Sequence, residues 1–532
     1  MNRRRFLKSA AGGAALALSP RLAAPALAQS AARTLRFVPH ADLTNFDPTW
    51  GTANIVRNAS ALVYDMLYGF DAKLEPQRQM VEAEETSGDG LTWTFRLREG
   101  LKFHDGEPVL ARDAVASLKR WSARDGAGKM IRAIENELAV LDDRTFRWVL
   151  KKPFPRLTAA LGKAGTPLAV IMPERVAKTD PYKLITDYTG SGPMRFVAAE
   201  QISGARAVFE RFSGYVPRPE PASWLAGGKQ MFVDRIEWIV MPDPGASAAA
   251  LQNGEIDWWE QPLPDLAPLL KRNRNITIDI ADPLGNVGTF RMNHLHPPFN
   301  DVRARRAILM AMSQEDYMRA VVGDDATLWK PMPSFFPPGT PIYNEDGGEI
   351  LKGPRDIDAA RRLLAQSGYA GQPVVCMAAQ DQPQHKAMGE ITVDLLGRLG
   401  VNVDFVATDW GTVVGRRAQK SPPGQGGWNM FHTVHPGVGC IDPASYIALR
   451  ASGDDAWFGW PSNPELEAAI AEWMEAKGGE EEMAVARRVN KAAFDCAIYG
   501  PTGFFLRYAA WRKNITGVVQ CPIPLFWGVR KT

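Results

Sequence analysis

The 532-residue chain lacks the short motifs that identify most enzymes. It has no G-x-S-x-G nucleophile elbow, no H-E-x-x-H zinc motif, no Walker loop and no G-x-G-x-x-G segment after a strand. Scattered acids and histidines occur in any chain of this size. The sequence therefore predicts a protein that is not an enzyme, with an exported hydrolase as the minor alternative.

Cysteine is scarce, and the chain has four: Cys376, Cys440, Cys496 and Cys521. None stands in a C-x-x-C pair, so the sequence offers no redox motif of that kind. Four cysteines allow three complete pairings, and an oxidising compartment would permit any of them. One bridge, two bridges and free buried thiols all stay open as alternatives.

An excess of charge of one sign is also missing. The formal net charge is +3, but residues 1–28 contain five cations and no acid, which leaves −2 for the remainder. A nearly neutral body gives no electrostatic case for binding nucleic acid. The chain is 45% hydrophobic and 23% charged, as ordinary soluble proteins are, and its length predicts two or three domains.

Long hydrophobic runs are absent from the sequence. The apolar run Ala10–Leu18 is well below the ~20 residues that span a bilayer. It follows Asn2–Lys8, which resembles the twin-arginine export signature, and precedes the small-residue cleavage site Ala26–Ala28. We expect residues 1–28 to be a signal peptide, the mature chain to begin at Gln29 and the protein to be periplasmic. A short membrane anchor is the alternative.

The most informative segment that is present is Leu91–Trp121. Thr92–Leu97 alternates polar and apolar residues, which is the period of a half-buried strand. Asp105-Gly106 is a tight-turn signal, and from Ala111 the apolar residues follow helical spacing. This order of strand, turn and helix resembles a signature of the family 5 solute-binding proteins of ABC importers. That family contains dipeptide, oligopeptide and nickel-chelate receptors.

Further segments resemble sequence motifs of the family and follow each other in the family's order along the chain. They are Tyr64–Tyr68, Thr189–Pro193, Ala248–Asp257 and Pro297–Arg303. Each motif alone is weak, but several of them in order, at family-like spacing, are hard to obtain by chance. The resemblance covers nearly all of residues 34–520.

The resemblance implies an α/β fold of the two-lobe periplasmic binding protein type, also described as Venus-flytrap, class II, cluster C. An extra subdomain is expected to be inserted in the first lobe. The implied core of the first lobe is 29–60, 190–283 and 501–532. The inserted subdomain would be 61–189, and the second lobe 284–500.

Local patterns add particular elements to this expectation. We expect a helix over Ile55–Leu67, a strand at Phe290–Asn293 and a helix over Ile391–Leu399 that Gly400 terminates. The chain is expected to cross between the lobes around Pro283–Thr289. The alternation of helix and strand in the second half is typical of an α/β lobe.

The resemblance also implies a function. Such a protein would capture a peptide or peptide-like small organic solute in the cleft between its lobes and deliver it to the permease subunits of an ABC importer. Ligand contact with both lobes would favour the closed form. We expect a monomer without a cofactor. A receptor for a non-peptide ligand, such as a metal chelate, haem, an opine-like compound or another carboxylated compound, is the alternative.

The candidate binding residues lie mainly in Asp409–Asp442, which we expect to form loops facing the cleft. Trp410, Arg417 and Trp428 stand where the resemblance puts the pocket tryptophans and arginine of the peptide receptors. Tryptophan offers a large flat apolar face, and arginine can bind a carboxylate through two parallel hydrogen bonds. The alternative for each of these residues is a position in the core.

Here the sequence departs from the peptide-receptor pattern. Peptide receptors usually have an acid shortly after the second tryptophan, but no acid follows Trp428 before Asp442. A buried ammonium without a carboxylate is costly, so either Asp442 takes this role or the ligand has no free amine. His432 and His435 are candidates for hydrogen bonding to an organic ligand. Metal ligation together with Cys440 and a structural role are their alternatives.

Two further candidates lie near the first predicted strand. Trp50 and Thr52 follow Asp47 and Pro48 and align with a loop that faces the cleft in relatives. Trp50 would cover the ligand from the first lobe. No metal site is predicted.

Overall fold

A computed structural model describes residues 33–51 and 53–532. The predicted signal peptide, residues 1–28, lies outside these described residues. Over the described part of the chain, no helix has both the length and the apolar character that crossing a bilayer requires.

The first sheet is built around Thr34–Val38, whose alternating burial matches its sequence pattern. This strand pairs in parallel with Arg235–Ile239 and with Trp258–Trp259, and the remaining pairs are antiparallel. In spatial order the strands are Met194–Phe196, Arg206–Arg211, Arg235–Ile239, Thr34–Val38, Trp258–Trp259, Tyr508–Arg512 and Ile276–Ile280.

The second sheet is also mixed. Val374–Ala379 pairs in parallel with Val403–Thr408 and with Met430–Pro436, and the other pairs are antiparallel. In spatial order its strands are Trp329–Lys330, Gly500–Phe505, Asn286–Met292, Met430–Pro436, Val374–Ala379 and Val403–Thr408. Each sheet and the helices packed on it form one lobe.

A separate antiparallel sheet forms within the predicted inserted subdomain. Its strands, in spatial order, are Val81–Thr86, Thr92–Leu97, Thr145–Leu150 and Glu135–Val140. Smaller strand pairs are Asp65–Met66 with Val170–Ile171, Tyr68–Phe70 with Pro76–Arg78, and Ile515–Thr516 with Arg530–Lys531.

Helices cover these sheets. The α-helices are Asn54–Val63, Ala111–Ser122, Gly126–Ala133, Leu157–Gly162, Glu174–Ala177, Pro244–Asn253, Ala267–Lys271, Val302–Ala311, Gln314–Val322, Ile357–Gln366, Pro383–Arg398, Trp410–Arg416, Pro464–Glu475 and Gly479–Asp495. Short 3-10 helices are Ala198–Glu200, Pro264–Leu266, Gly348–Leu351, Pro423–Gln425, Gly437–Gly439 and Gly453–Asp455.

Two short segments connect the sheets. The first, 281–285, joins Ile276–Ile280 to Asn286–Met292, within two residues of the crossing expected from the sequence. The second, 506–507, joins Gly500–Phe505 to Tyr508–Arg512. We name them the first and second crossover. The expected lobe boundary at 501 is therefore wrong, because Gly500–Phe505 pairs with a strand of the second sheet.

The expected boundary at residue 60 is also wrong, because it falls inside the helix Asn54–Val63. Leu62 and Val63 are buried in the apolar core of the first lobe. This helix is shorter than the predicted Ile55–Leu67. It ends because Asp65 begins a strand that pairs with Val170–Ile171.

Other elements are longer than predicted. The predicted helix Ile391–Leu399 is the second half of Pro383–Arg398, which begins with a proline in its first turn. Asp409–Asp442 is not a set of loops, since it contains the helix Trp410–Arg416 and the strand Met430–Pro436. The side chain of Asp409 caps that helix by accepting a hydrogen bond from Thr412 N–H at 2.9 Å.

Apolar packing joins the inserted subdomain to the second lobe in one continuous cluster. The two also meet through charged side chains. The guanidinium of Arg156 lies 4.2 Å from the ring centroid of Trp473 and forms an ion pair with Glu482, and Lys152 forms an ion pair with Glu475. These contacts come from segments other than the crossovers, so the lobes meet at more than one place.

Candidate functional site

A cavity of about 130 Å³ lies beside the two crossovers. His40, Arg57 and Glu260 line it from the first lobe, and Asn286 and Pro436 line it from the second sheet. None of the predicted site residues that the structure describes lines it. A space of this size holds several water molecules or one small polar group of a ligand. We name it the crossover cavity.

Each crossover contributes a charged side chain to this cavity, Asp282 from the first and Arg507 from the second. Leu284 N–H donates to Asp282 Oδ1 at 2.8 Å, and no cation of the described residues lies within ion-pair distance of Asp282. Arg507 Nη1 donates to Gln261 Oε1 at 3.1 Å. Its buried Nε has no hydrogen-bond partner among the described residues.

Burial shifts the pKa of both crossover side chains. It raises the pKa of Asp282 to about 7, although the hydrogen bond from Leu284 and the charges of Arg57 and Arg507 oppose the shift. Burial lowers the pKa of Arg507 to about 10. Asp282 keeps some solvent-exposed area although protein atoms surround it, as expected of a group in a narrow recess.

Two other charged groups at the crossover cavity, Glu260 and Arg57, are engaged. Glu260 accepts hydrogen bonds from His40 N–H at 2.8 Å, from His40 Nδ1 at 2.9 Å and from Asn58 Nδ2 at 3.2 Å. Arg57 donates to the carbonyl of Pro522 at 2.7 Å and to Asn58 Oδ1 at 3.0 Å. Unused hydrogen-bonding capacity at the cavity therefore lies on the two crossover side chains and on Trp258, whose buried Nε1 has no partner among the described residues.

Arg417, at the end of the helix Trp410–Arg416, has its guanidinium among aromatic rings. The distances from its Cζ to the ring centroids are 5.3 Å for Trp410, 5.7 Å for Phe431, 5.4 Å for Trp457 and 4.8 Å for Phe458. Burial lowers the pKa of Arg417 to about 10, so the guanidinium stays charged at neutral pH. Its buried Nε has no hydrogen-bond partner, and it has no ion-pair partner among the described residues. We name Arg417 and these four rings the Arg417 box.

Two histidines lie close to the box. The His435 ring is 5.6 Å from the Trp457 ring, and the His385 ring is 4.6 Å from the Trp410 ring. Burial and nearby positive charge lower the pKa of each histidine to about 3, so both are neutral at pH 7. His435 Nε2 and His385 Nδ1 are buried and have no hydrogen-bond partner in the described part of the chain.

The strand Met430–Pro436 connects the box to the crossover cavity, because Pro436 lines the cavity and the preceding His435 lies beside the box.

Trp428 does not face open space. It is 0% exposed, and its ring packs against Phe431 at 5.0 Å and Trp460 at 6.1 Å. Its Nε1 donates to the carbonyl oxygen of Arg417 at 3.1 Å. In this conformation Trp428 has no surface to offer a ligand, and it instead holds the backbone at Arg417.

His432 lies in a buried chain of hydrogen bonds. Its Nε2 is 2.8 Å from Thr392 Oγ1, and Thr392 Oγ1 is 2.7 Å from the hydroxyl of Tyr317. Its Nδ1 is 3.1 Å from the carbonyl oxygen of Met377, which can only accept, so Nδ1 carries the proton. Burial lowers the pKa of His432 to about 4. These contacts occupy both ring nitrogens and leave none for a ligand.

Asp442 is occupied as well. Its Oδ1 accepts hydrogen bonds from Ala444 N–H at 3.1 Å and Trp473 Nε1 at 2.8 Å, and its Oδ2 accepts one from Ser445 Oγ at 2.7 Å. The charge of Asp442 also raises the pKa of Arg156, against the larger effect of burial. These contacts position Asp442 where the second lobe meets the inserted subdomain.

Trp50 lies on a tight turn that Asp47 holds. Asp47 Oδ1 accepts hydrogen bonds from Thr49 N–H at 2.9 Å and Trp50 N–H at 3.0 Å. The Trp50 side chain is 36% exposed, which is consistent with a surface available to a ligand. Thr52 lies outside the described residues.

All four cysteines are buried and free, so of the open alternatives the structure has the one without a disulfide. Residues 33–51 and 53–532 contain no group of three or more His, Cys, Asp or Glu side chains that could hold a metal ion. His432, His435 and Cys440 therefore do not form such a group.

Three polar residues at the site, Asp282, Arg507 and His385, were not among the sequence candidates. No local motif contains them, and they lie far apart in the chain. One signal was available, since Asp282 directly precedes the crossing expected at Pro283–Thr289 and charged residues at an expected crossing face both lobes. For Arg507 and His385 we find no comparable signal in the sequence.

Two α/β lobes that are joined by two crossovers, with polar groups left unpartnered between them, define a solute-binding protein of the two-lobe type. Comparison with known proteins gives the family. Residues 75–454 match the bacterial extracellular solute-binding proteins, family 5 Middle, and the chain belongs to this family.

Similar proteins span the full chain. The probable peptide ABC transporter periplasmic-binding protein y4tO of Sinorhizobium fredii (strain NBRC 101917 / NGR234) is 35% identical over 528 residues, which cover 99% of this chain and 98% of that protein. A dipeptide binding protein from Pseudoalteromonas sp. SM9913, in complex with Met-Leu, has a TM-score of 0.78 at 18% identity and covers 94% of this chain and 100% of its own.

A third similar structure has a different kind of ligand. The protein AgaA from A. tumefacien R10, in complex with agropinic acid, has a TM-score of 0.77 at 18% identity over 94% of this chain and 99% of its own. At such identity the two structures establish the two-lobe fold. Membership of the family establishes that this protein binds a solute for an ABC importer, as the sequence predicted.

Proposed function

We propose that this protein is the periplasmic receptor of an ABC importer and that it binds a carboxylated solute, with a peptide or peptide-like compound as the first candidate. The observation that carries this proposal is the unpaired, aromatic-lined guanidinium of Arg417. A guanidinium matches a carboxylate with two parallel hydrogen bonds, which are strong where water is excluded.

The neighbours of Arg417 support an anionic ligand. His385 and His435 are neutral, and each has a ring nitrogen without a partner. Each can therefore form a hydrogen bond with a neutral ligand group or with a carboxyl group. No carboxylate among the described residues forms an ion pair with Arg417. Because an unpaired buried charge is costly, a ligand carboxylate would offset the cost that the box carries without it.

Peptides are the first candidate because the relative in S. fredii has the name of a peptide transporter component and the dipeptide binding protein contains Met-Leu. A carboxylated compound without a peptide bond is the second. Phe431 stands near the position where peptide receptors usually have an acid, and the AgaA structure contains agropinic acid. We propose Trp410, Arg417 and His435 as contacts from the second lobe and Trp50 as a contact from the first.

Trp428 and Asp442 have supporting roles in this proposal. Trp428 holds the backbone at Arg417, and Asp442 holds the surface of the second lobe against the inserted subdomain. Closure is the mechanism, because a ligand that touches both lobes stabilises the closed form and the crossovers absorb the change. A twin-arginine signal in residues 1–28 would direct the monomer to the periplasm, where the permease subunits are its partners.

A thermal-shift screen of the mature chain tests this proposal. Carboxylated compounds, peptides among them, should raise the melting temperature, and their amides should raise it much less. With any stabilising compound, Arg417→Gln should weaken binding about 10- to 100-fold in titration calorimetry, since a hydrogen-bonded charge contributes about 1.5–3 kcal/mol.

Arg274→Gln is the matched control, because Arg274 is exposed in the first lobe and its substitution removes the same charge. It should bind as the wild type does. Equal affinity of Arg417→Gln and wild type, or equal stabilisation by acids and their amides, would show that the ligand carboxylate is not bound at Arg417.

A further inference from the structure

The acid that peptide receptors usually have after the second tryptophan is missing here, and its expected substitute, Asp442, is occupied. The crossover cavity offers another carboxylate. Asp282 receives a hydrogen bond from Leu284 N–H and has no ion-pair partner among the described residues, and it is partly buried where it lines the cavity. Its carboxylate is therefore free to pair with a group that enters the cavity.

We propose that Asp282, on the first crossover, binds a protonated amine of the ligand in the crossover cavity. The ligand class is then a zwitterion, with its carboxylate at Arg417 and its ammonium at Asp282. This inference rests on the proposed function, since it assigns the opposite end of the same ligand. It also assigns the amine site to the hinge between the lobes and not to the second lobe.

The neighbouring cations do not replace the ligand amine. Arg57 and Arg507 both influence Asp282, yet each directs its guanidinium elsewhere. Arg57 donates to the Pro522 carbonyl and Arg507 to Gln261 Oε1. The positive charge near Asp282 therefore does not include a donor that would occupy its carboxylate.

The carboxylates that line the crossover cavity are not equally available to an added cation. Glu260 is already paired with His40, whose Nδ1 lies 2.9 Å from its Oε2. Asp282 has no such partner, so it is the carboxylate that an ammonium can pair with. The Arg417 box has the opposite arrangement, a cation without an acid, so the two ends of the site differ in sign as a zwitterion requires.

The position of Asp282 also fits the proposed closure. The first crossover must adjust when the lobes move, so a ligand bound to Asp282 acts on the segment that bends. The spare Nε of Arg507 on the second crossover can donate to an acceptor atom between the two ends of the ligand. A zwitterion would in this way contact both crossovers and the second lobe at once.

Wild-type protein gives the first test, and the probes are di- and tripeptides with free amines and the N-acetylated forms of the same peptides. The free-amine forms should raise the melting temperature more and bind about 10- to 100-fold more tightly in calorimetry, as expected for loss of a charge-assisted hydrogen bond. Equal binding of the acetylated forms, or no stabilisation by any free-amine member, would overturn the proposal.

Asp282→Asn gives the second test. It should lose about 10- to 100-fold in affinity for the free-amine peptides and keep its affinity for the acetylated forms within about threefold. Asp404→Asn is the control, since Asp404 is an exposed acid on the edge strand Val403–Thr408. Free-amine affinity that Asp282→Asn leaves unchanged would overturn the proposal, and the wild-type comparison holds even if the variant folds poorly.

The pH dependence of peptide affinity is a further test, because a merely structural role of Asp282 would not affect it. Charged or titratable side chains that face Asp282 or line the same cavity are His40, Arg57, Glu260, Asp279, Arg507 and Cys521. Because Asp282 must be ionised to hold an ammonium, wild-type affinity for free-amine peptides should rise from pH 6 to about pH 7, below the pKa of the peptide amine at about 7.7–8.0. Asp282→Asn should remove this rise, and a rise that persists in the variant would contradict the assignment.

The two proposals fail in different ways. If amine-free carboxylates stabilise the wild type as well as zwitterions do, the assignment of Asp282 falls and the role of Arg417 stands. If peptides with free amines and amidated C-termini bind as well as the zwitterions, the role of Arg417 falls and that of Asp282 stands.

Discussion

Buried charges at two places in this protein have opposite arrangements. Where the inserted subdomain joins the first lobe, Arg120 and Asp47 form two hydrogen bonds of 2.9 and 3.0 Å, and Lys229 lies 2.8 Å from Asp65. All four side chains are almost fully buried. At the crossover cavity and in the Arg417 box, Asp282 and Arg417 have no ion-pair partner among the described residues. We name the first set the junction pairs.

The difference lies in how far neighbouring groups compensate the burial of each charge. Burial alone would raise the pKa of Asp47, but the hydrogen bonds and charge of Arg120 hold it below its ordinary value. Nothing comparable compensates Asp282, whose pKa rises to about 7. This contrast supports the proposal that Asp282 and Arg417 bind a solute.

The largest expected effect concerns a junction pair. Arg120→Gln should lower the free energy of unfolding by about 3–5 kcal/mol, because it leaves the buried carboxylate of Asp47 without its cation. Chemical denaturation of the ligand-free protein measures this. Lys491→Gln is the control, since its ion pair with Asp495 is exposed and should contribute little to stability. Similar losses of unfolding free energy in both variants would show that the junction pairs stabilise the fold no more than an exposed ion pair does.

Removing the charge of Asp282 should have the opposite effect and raise the free energy of unfolding. The pKa of Asp282 is higher in the folded protein than its ordinary value of 3.8, so the folded form binds a proton more tightly than the unfolded form. Its contribution therefore favours folding below about pH 4 and is lost as pH rises through about 7. Asp282→Asn should raise the free energy of unfolding at pH 8 by about 1–3 kcal/mol, after allowance for solvent access, and should raise it less at pH 5.

Denaturation of the ligand-free protein at the two pH values checks this prediction. Asp404→Asn, which changes an exposed acid, should show no such dependence on pH. If Asp282→Asn instead destabilises the protein at pH 8, the wild-type carboxylate has a stabilising partner and the comparison with the junction pairs is wrong.

The smallest effect is expected where the inserted subdomain meets the second lobe. Arg156→Gln removes the stacking on Trp473 and the ion pair with Glu482, both of which require the two parts to touch. Ligand affinity should fall a few-fold, about 0.5–1 kcal/mol, and small-angle scattering should show a more open ligand-free protein. Lys102→Gln, an exposed cation elsewhere in the inserted subdomain, is the control. Unchanged affinity and scattering would mean that these contacts do not favour closure.

Much of the fold was predictable because its signals are local. The alternation in Thr92–Leu97, the turn at Asp105-Gly106 and the helix from Ala111 are all present in the structure. Boundaries that depend on distant partners were missed. The helix after Ile55 ends early because Asp65 joins a strand, and the second lobe extends to Phe505 because that strand pairs with Asn286–Met292.

The candidate site was less predictable, because a sequence position does not say on which side of an element a residue lies. Trp428 and Arg417 are close in the chain, yet one is in the core and the other has unused hydrogen-bonding groups. Asp442 was a reasonable acid by position, but Trp473, contributed by another helix, occupies it. Asp282 becomes a candidate only when the two crossovers come together.

The strand Met430–Pro436 has one further consequence for how this receptor could diversify. His432 and Phe431 are buried in the interior, whereas His435 lies beside the Arg417 box. If the proposed function holds, exchanging His435 should alter solute preference and leave the packing of Phe431 and His432 intact. A library restricted to this one codon is thus an economical way to retarget the protein.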